Sequence, residues 1–179
     1  MDVRRVVTGH DSKGKSIFVS DDKVPPITLS VMPGAEFHRL WGGDEVPHFP
    51  DDGREPRAPQ YFPKVGGFRF GFFTVPPVGQ ALPENFDVAA GLAELEEKLP
   101  GLTGHMERDD PGMHTTATID FEVVLSGEIV LELDDGQKRR MRAGDTVVQN
   151  GTRHRWHNEG KVPAVLAVFI SGARHDKVR

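Results

Sequence analysis

Short runs of β-branched and aromatic residues recur along the chain, many alternating polar with apolar, and clusters of Gly, Pro, Asn and Asp separate them. That punctuation predicts many short strands, at residues 3–8, 16–20, 27–31, 36–41, 68–75, 121–125, 128–133, 138–141, 145–149 and 162–170. One stretch has a different period. In NFDVAAGLAELEEKLPG, Val88, Leu92, Leu95 and Leu99 fall at spacings of four, three and four, which predicts an amphipathic helix near residues 86–99 on the outside of a sheet. Asn85 or Asp87 can cap its start, and Pro100-Gly101 stops it. Residues 42–63 are polar and rich in proline and read as a long loop, either a surface excursion or a lid. Beyond Pro111, tight turns at Ser126-Gly127, Asp134-Asp135-Gly136, Ala143-Gly144 and Asn150-Gly151 divide the chain into an antiparallel meander that can close as a barrel or sandwich.

Residues 9–16, GHDSKGKS, satisfy the phosphate-loop pattern letter for letter. A phosphate loop needs a helix to follow it, because the helix N-terminus supplies N–H groups to the phosphates. Here Ile17, Phe18 and Val19 follow, then two acids and two prolines, so the stretch reads as the turn of a hairpin.

With 179 residues, the chain fits one domain, an N-terminal set of strands in residues 1–64 followed by a barrel in residues 65–171. The net charge of −5 argues against a nucleic-acid partner. Cysteine is absent, so disulfides and thiolate chemistry are excluded and any metal must be held by His, Asp or Glu. No leader-like apolar segment and no apolar run near 18 residues occurs, so no membrane association and a cytoplasmic location are expected.

The chemistry concentrates in PGMHTTATIDFEVVLSGEIVLELDDGQKRRMRAGDTVVQNGTRHRWHNEG. On a strand, His114, Thr116, Thr118 and Asp120 share one face, and Thr152, His154, Trp156 and Asn158 share another if extended. Two such segments brought together inside a barrel would gather two imidazoles, a carboxylate, hydroxyls and an indole. These segments resemble the two motifs of the cupins. The first, G-x5-H-x-H-x3,4-E-x6-G, is matched at His114 and Gly127, with Asp120 where the family has Glu and Thr116 where it has a second His. The second, G-x5-P-x-G-x2-H-x3-N, is matched at Gly144, Gly151, His154 and Asn158, with one residue fewer after Gly144 and no proline. The Thr-rich first motif is similar to that of a subgroup of small cupins found in bacteria and beside fungal aromatic polyketide genes.

The resemblance implies an all-β fold, a cupin-type antiparallel barrel (a jelly-roll-like double-stranded β-helix) with N-terminal extra strands and one outer helix. It implies association as a homodimer through such strands. Carried over residue by residue, His114, His154 and Asp120 would form a two-histidine, one-carboxylate set for a divalent metal, Fe, Mn, Ni or Zn. The residues themselves leave three readings of the histidine pair open: a metal site, a metal-free site in which His154, Asp120 and His114 bind substrate or move protons, and buried structural histidines. Thr116, Thr118, Trp156, Phe70 and Phe72 are candidate pocket walls, which would favour an apolar or aromatic ligand. Two functions follow: a lyase, decarboxylase or dioxygenase acting on a small apolar or aromatic compound, or a non-catalytic small-molecule-binding cupin without metal. His157, Arg153 and Arg155 are expected to face solvent, and His10, His38, His48, His105 and His175 show no pairing pattern. Ser126 lies outside any nucleophile elbow and reads as a turn residue.

Overall fold

Residues 1–176 are described in a computed structural model of the chain. The alternating runs become β1 (Val3–His10), β2 (Ser16–Val24), β3 (Ile27–Thr28), β4 (Glu36–Gly43), β5 (Phe68–Val75), β6 (Thr118–Ser126), β7 (Glu128–Glu132), β8 (Lys138–Arg142), β9 (Thr146–Asn150), β10 (Arg155–His157) and β11 (Ala164–Gly172). Most lie within a few residues of their predicted bounds. The short β10 was foreseen only as a conditional extension of the His154 segment. The phosphate-loop look-alike is the turn of the β1–β2 hairpin: Asp11 Oδ1 accepts the backbone N–H groups of Lys13 (2.8 Å) and Lys15 (2.9 Å), and Gly14 takes a positive φ of 76°.

A six-stranded sheet in the order β3-β4-β5-β11-β6-β9 faces a three-stranded sheet in the order β10-β7-β8. Their shared core joins Val75, Val124 and Leu166 from the large sheet to Ile129, Leu131 and Met141 from the small one. Register decides the inner face. Phe37, Phe73, Leu166 and Val124 lie side by side across β4, β5, β11 and β6. The next inward rows are Arg39, Gly71, Val168 and Glu122, then Gly42, Arg69, Ile170 and Asp120. The intervening residues Phe70, Phe169 and Phe121 therefore face outward, each at least two-fifths exposed.

The helix α1 (Val88–Lys98) starts where Asp87 accepts the N–H of Ala90 (3.0 Å). It lies outside the strands at the β3–β4 edge, where Leu95, Leu99 and Leu102 pack with Leu29, Ala35 and Phe37. Only half of the predicted stripe is buried there: Val88 and Leu92 stay exposed, and Gly91 is buried in their place. A Cβ on Gly91 would come 2.6 Å from the Phe86 ring, so the contact face turns toward glycine.

The long loop is held by two arginines on the inner face. Arg39 donates to the Ala58 carbonyl and, at 3.2 Å, to that of Gln60. Arg69 donates to the carbonyls of Gln60 (3.0 Å) and Gly43 (3.1 Å) and pairs with Asp44 at 2.6 Å. This ties residues 58–62 to the sheet and brings Tyr61 and Phe62 against its core. No helix among the described residues is long and apolar enough to cross a membrane.

Because Leu99 is fully buried and Leu92 is not, Leu99→Ala is expected to cost about 2–5 kcal/mol. Leu92→Ala should cost less than about 0.5 kcal/mol. Urea denaturation of the two variants checks the difference, and equal losses would mean that α1 docks by another face.

Candidate functional site

Between the two sheets lies a cavity of about 380 Å³. Phe37, Phe73, Val168 and Ile170 from the large sheet, Trp156 from β10 and Tyr61 from the anchored loop give it an apolar wall. Its titratable groups are His114, His154, Asp120 and Glu122, with Tyr61 and His157 also on the lining.

The two histidines are placed by backbone pairing. His114 and His154 form an isolated antiparallel bridge, each N–H donating to the other's carbonyl at 3.0 Å. Their rings stand 4.2 Å apart, and His154 meets Trp156 edge-on at 6.2 Å. His114 Nδ1 lies 3.0 Å from the Gly112 carbonyl. A carbonyl only accepts, so Nδ1 carries the proton and Nε2 keeps a lone pair. His154 Nδ1 lies 2.9 Å from the Thr152 carbonyl and 2.8 Å from the Gln149 side-chain amide, so a partner exists for either tautomer. Burial holds His114 below the ordinary imidazole range, and burial with the neighbouring His114 pushes His154 down to about 3. Both rings are neutral at pH 7.

An ion network clamps the segment that carries His114. Arg153 holds Glu107 with two hydrogen bonds of 2.7 Å, Asp110 at 2.8 Å and Asp134 at 3.0 Å. Arg155 bridges Asp110 (2.7 Å) and Glu132 (2.8 Å), and Glu132 also takes His157. The expectation that Arg153, Arg155 and His157 point freely into solvent is thus corrected: acids on β7 and on the segment before His114 engage them. The Arg155 hydrogen bond holds the Glu132 carboxyl down at about 2 against the opposing effect of desolvation.

On the opposite wall, β6 presents Asp120 and Glu122, both buried. Desolvation raises Asp120 to about 6, while a hydrogen bond from Thr118 opposes it. Desolvation and the neighbouring Asp120 raise Glu122 to about 8. Thr116 and Thr118 do not line the cavity. Their hydroxyls bond each other at 2.8 Å beyond the end of the cavity, on the same strand face as Asp120, which Thr118 holds. Phe70 and Phe72 also depart from expectation, since their parity puts them on the outer face, along a groove beneath β1; Phe37 and Phe73 take the inner role. Trp156 and Asn158 do line the cavity, on the side of His154.

The expected metal set is not assembled. His114, His154 and Asp120 border one cavity, yet among the described residues no three His, Asp or Glu side chains converge closely enough to hold an ion. Glu122 is a cavity-lining carboxyl that the sequence analysis does not single out. Its signal was present in T-I-D-F-E, where it repeats the parity of Asp120. Tyr61, Phe37 and Phe73 carried no comparable local signal.

These groups limit stability from two sides. The folded-state pKa of Glu122 lies above its ordinary 4.5, so stability is full below pH 4.5 and is lost as the pH rises through about 8. For His154, depressed from 6.5, stability is present above pH 6.5 and is lost as the pH falls toward about 3. Glu122→Gln should therefore raise Tm by several degrees at pH 9 and change it little at pH 5, since each pKa unit is worth about 1.4 kcal/mol. Thermal melts across that range decide it; a uniform shift at both pH values would mean that Glu122 ionises freely in the fold.

A cupin-domain family profile matches residues 106–170. The chain is 30% identical over 169 residues to Phomopsin biosynthesis cluster protein C' of Diaporthe leptostromiformis, covering 93% of this chain and 76% of that one. Over 162 residues it is 28% identical to the cupin-domain-containing oxidoreductase fogC of Aspergillus ruber, covering 87% and 64%. Oryzines biosynthesis cluster protein J of Aspergillus oryzae is 45% identical over 62 residues, a match that spans only 35% of either chain. Two facing antiparallel sheets, two motif segments joined through their histidines and a relative alike over nearly the full length lead to one assignment: the chain belongs to the cupin superfamily, as a small cupin domain.

Proposed function

We propose that this protein is a small-molecule enzyme of the lyase type, in which the His114–His154 pair handles a proton of an apolar or aromatic substrate enclosed between the sheets. The observation that carries the reading is the state of His114. Its Nδ1 is committed to the Gly112 carbonyl and its Nε2 holds a lone pair beside an apolar cavity. That is the form a general base needs. His154, with a pKa near 3, acts as a neutral hydrogen-bonding group that can present Nε2 as donor or acceptor. Asp120 and Glu122 face the pair and anchor the polar end of the substrate.

The test is solvent-deuterium incorporation or elimination, followed by mass spectrometry, across apolar and aromatic compounds with an acidic C–H. His114→Gln should reduce the rate at least ~100-fold while leaving binding in place. Ligands that bind but show neither exchange nor elimination would leave the alternative, a binding cupin. A second reading, oxidoreductase chemistry, is favoured by the likeness to fogC. Oxygen uptake dependent on added iron(II) would support it over proton transfer.

For the partner, we propose a second copy of the chain on the outer face of the large sheet. Phe70, Phe169, Phe121 and Val148 form one row across β5, β11, β6 and β9, and all four are exposed. Light scattering should give a dimer mass, and Phe169→Glu a monomer; an unchanged mass in the variant would move the contact elsewhere.

A further inference from the structure

Two acceptors inside the cavity have no partner. Oδ1 of Asp120 and Oε2 of Glu122 accept no hydrogen bond among the described residues. The two residues are only 4% and 6% exposed. No arginine or lysine acts on either carboxyl. The nearest inward arginines are committed elsewhere, Arg69 to Asp44 and loop carbonyls and Arg39 to the carbonyls of Ala58 and Gln60. Buried carboxyl oxygens are normally matched by donors or cations. Here the match is missing in two residues that line the cavity.

The chemistry of the complement follows from the surroundings. Asp120 and Glu122 occupy successive inward positions of β6, about 7 Å apart, so one small donor-rich group can reach both. A carboxylate or phosphate would meet two acids and an imidazole lone pair, and would be repelled. A metal ion would need a third converging ligand, which the described residues do not supply. A primary ammonium has three N–H donors, two for the carboxyl oxygens and one for the lone pair of a histidine Nε2. Its carbon body would lie on Phe37, Phe73 and Trp156, whose ring faces also suit a cation.

We propose that this cavity takes a primary amine in its ammonium form, carried on an apolar or aromatic body, with the N–H donors shared between Asp120 and Glu122. The assignment rests on the proton-transfer reading only for the location of the ligand, and it names the class of substrate that reading left open.

The test is isothermal titration of the full chain with three probes of similar shape, 2-phenylethylamine, 2-phenylethanol and 3-phenylpropanoate, together with manganese(II) and zinc(II) added alone. The amine is expected to bind at least ~10-fold more tightly than the alcohol, and the carboxylate most weakly. In Glu122→Gln the ratio of amine to alcohol affinity should fall at least about threefold. Asp120→Asn gives the same readout if the first variant fails to fold. Equal binding of amine and alcohol, tighter binding of the carboxylate or no amine binding would each overturn the assignment. Displacement of the amine by a stoichiometric metal ion would overturn it in favour of a metal site. Amine selectivity without deuterium exchange would preserve this inference while the proton-transfer reading fails; exchange on neutral substrates without amine preference would do the reverse.

Discussion

The register of β11 between β5 and β6 is the constraint on which the rest of this protein depends. It sets Ile170 beside Asp120 and Arg69, and Val168 beside Glu122 and Gly71. A slip of one residue along any of these strands would move its whole inward set to the other face. The carboxyls would leave the cavity, and Phe121 and Phe169 would enter it. Burial pins the register, because Leu166, Val124 and Val75 can pack with Ile129 and Met141 of the facing sheet only when the inward set points toward them. The same pairing that builds the core thus places the acids.

What this cavity holds at rest is polar with a single carboxylate, Asp120, whose pKa of about 6 leaves it ionised at neutral pH. Two imidazoles are held neutral chiefly by burial, with His114 also lowering His154, and Glu122 keeps its proton at neutral pH. Such a lining costs stability as pH moves in either direction, because each group must ionise on unfolding or strain the fold by ionising within it. The ion pairs around Arg153 and Arg155 lie at the rim, where they fasten the segment bearing His114 to β7 and β10. The separation leaves the interior free to respond to a ligand, while the exterior network fixes where the histidines stand.

Membership of the cupin superfamily explains the two facing sheets and the meeting of two motif segments at His114 and His154. It does not by itself assign the chemistry, since one fold hosts many reactions. In this chain the departures from the family pattern are informative. Thr116 fills the place of a second histidine and is turned to hold Thr118, which in turn holds Asp120. The position that the family pattern gives to a second histidine here supports a carboxyl through Thr118.

Alternation, turn residues and the helical stripe were enough to determine the strand order along the chain, the hairpin at residues 9–16, the helix and the face that Asp120 shares with Thr116 and Thr118, because those signals are local and periodic. Glu122 was equally readable by parity, though nothing local said that its oxygen would stay unpartnered. Only the tertiary structure could decide that Phe37, Phe73 and Tyr61 form the wall while Phe70 and Phe72 face outward. A period-two pattern shows which residues share a face and is silent on which face is buried. Only it could seat half of the helical stripe, through the contact of Gly91 with Phe86. It also decided that the three expected metal ligands border one cavity without converging on one point. Convergence depends on distances between strands far apart in sequence, which residue identity and spacing do not encode.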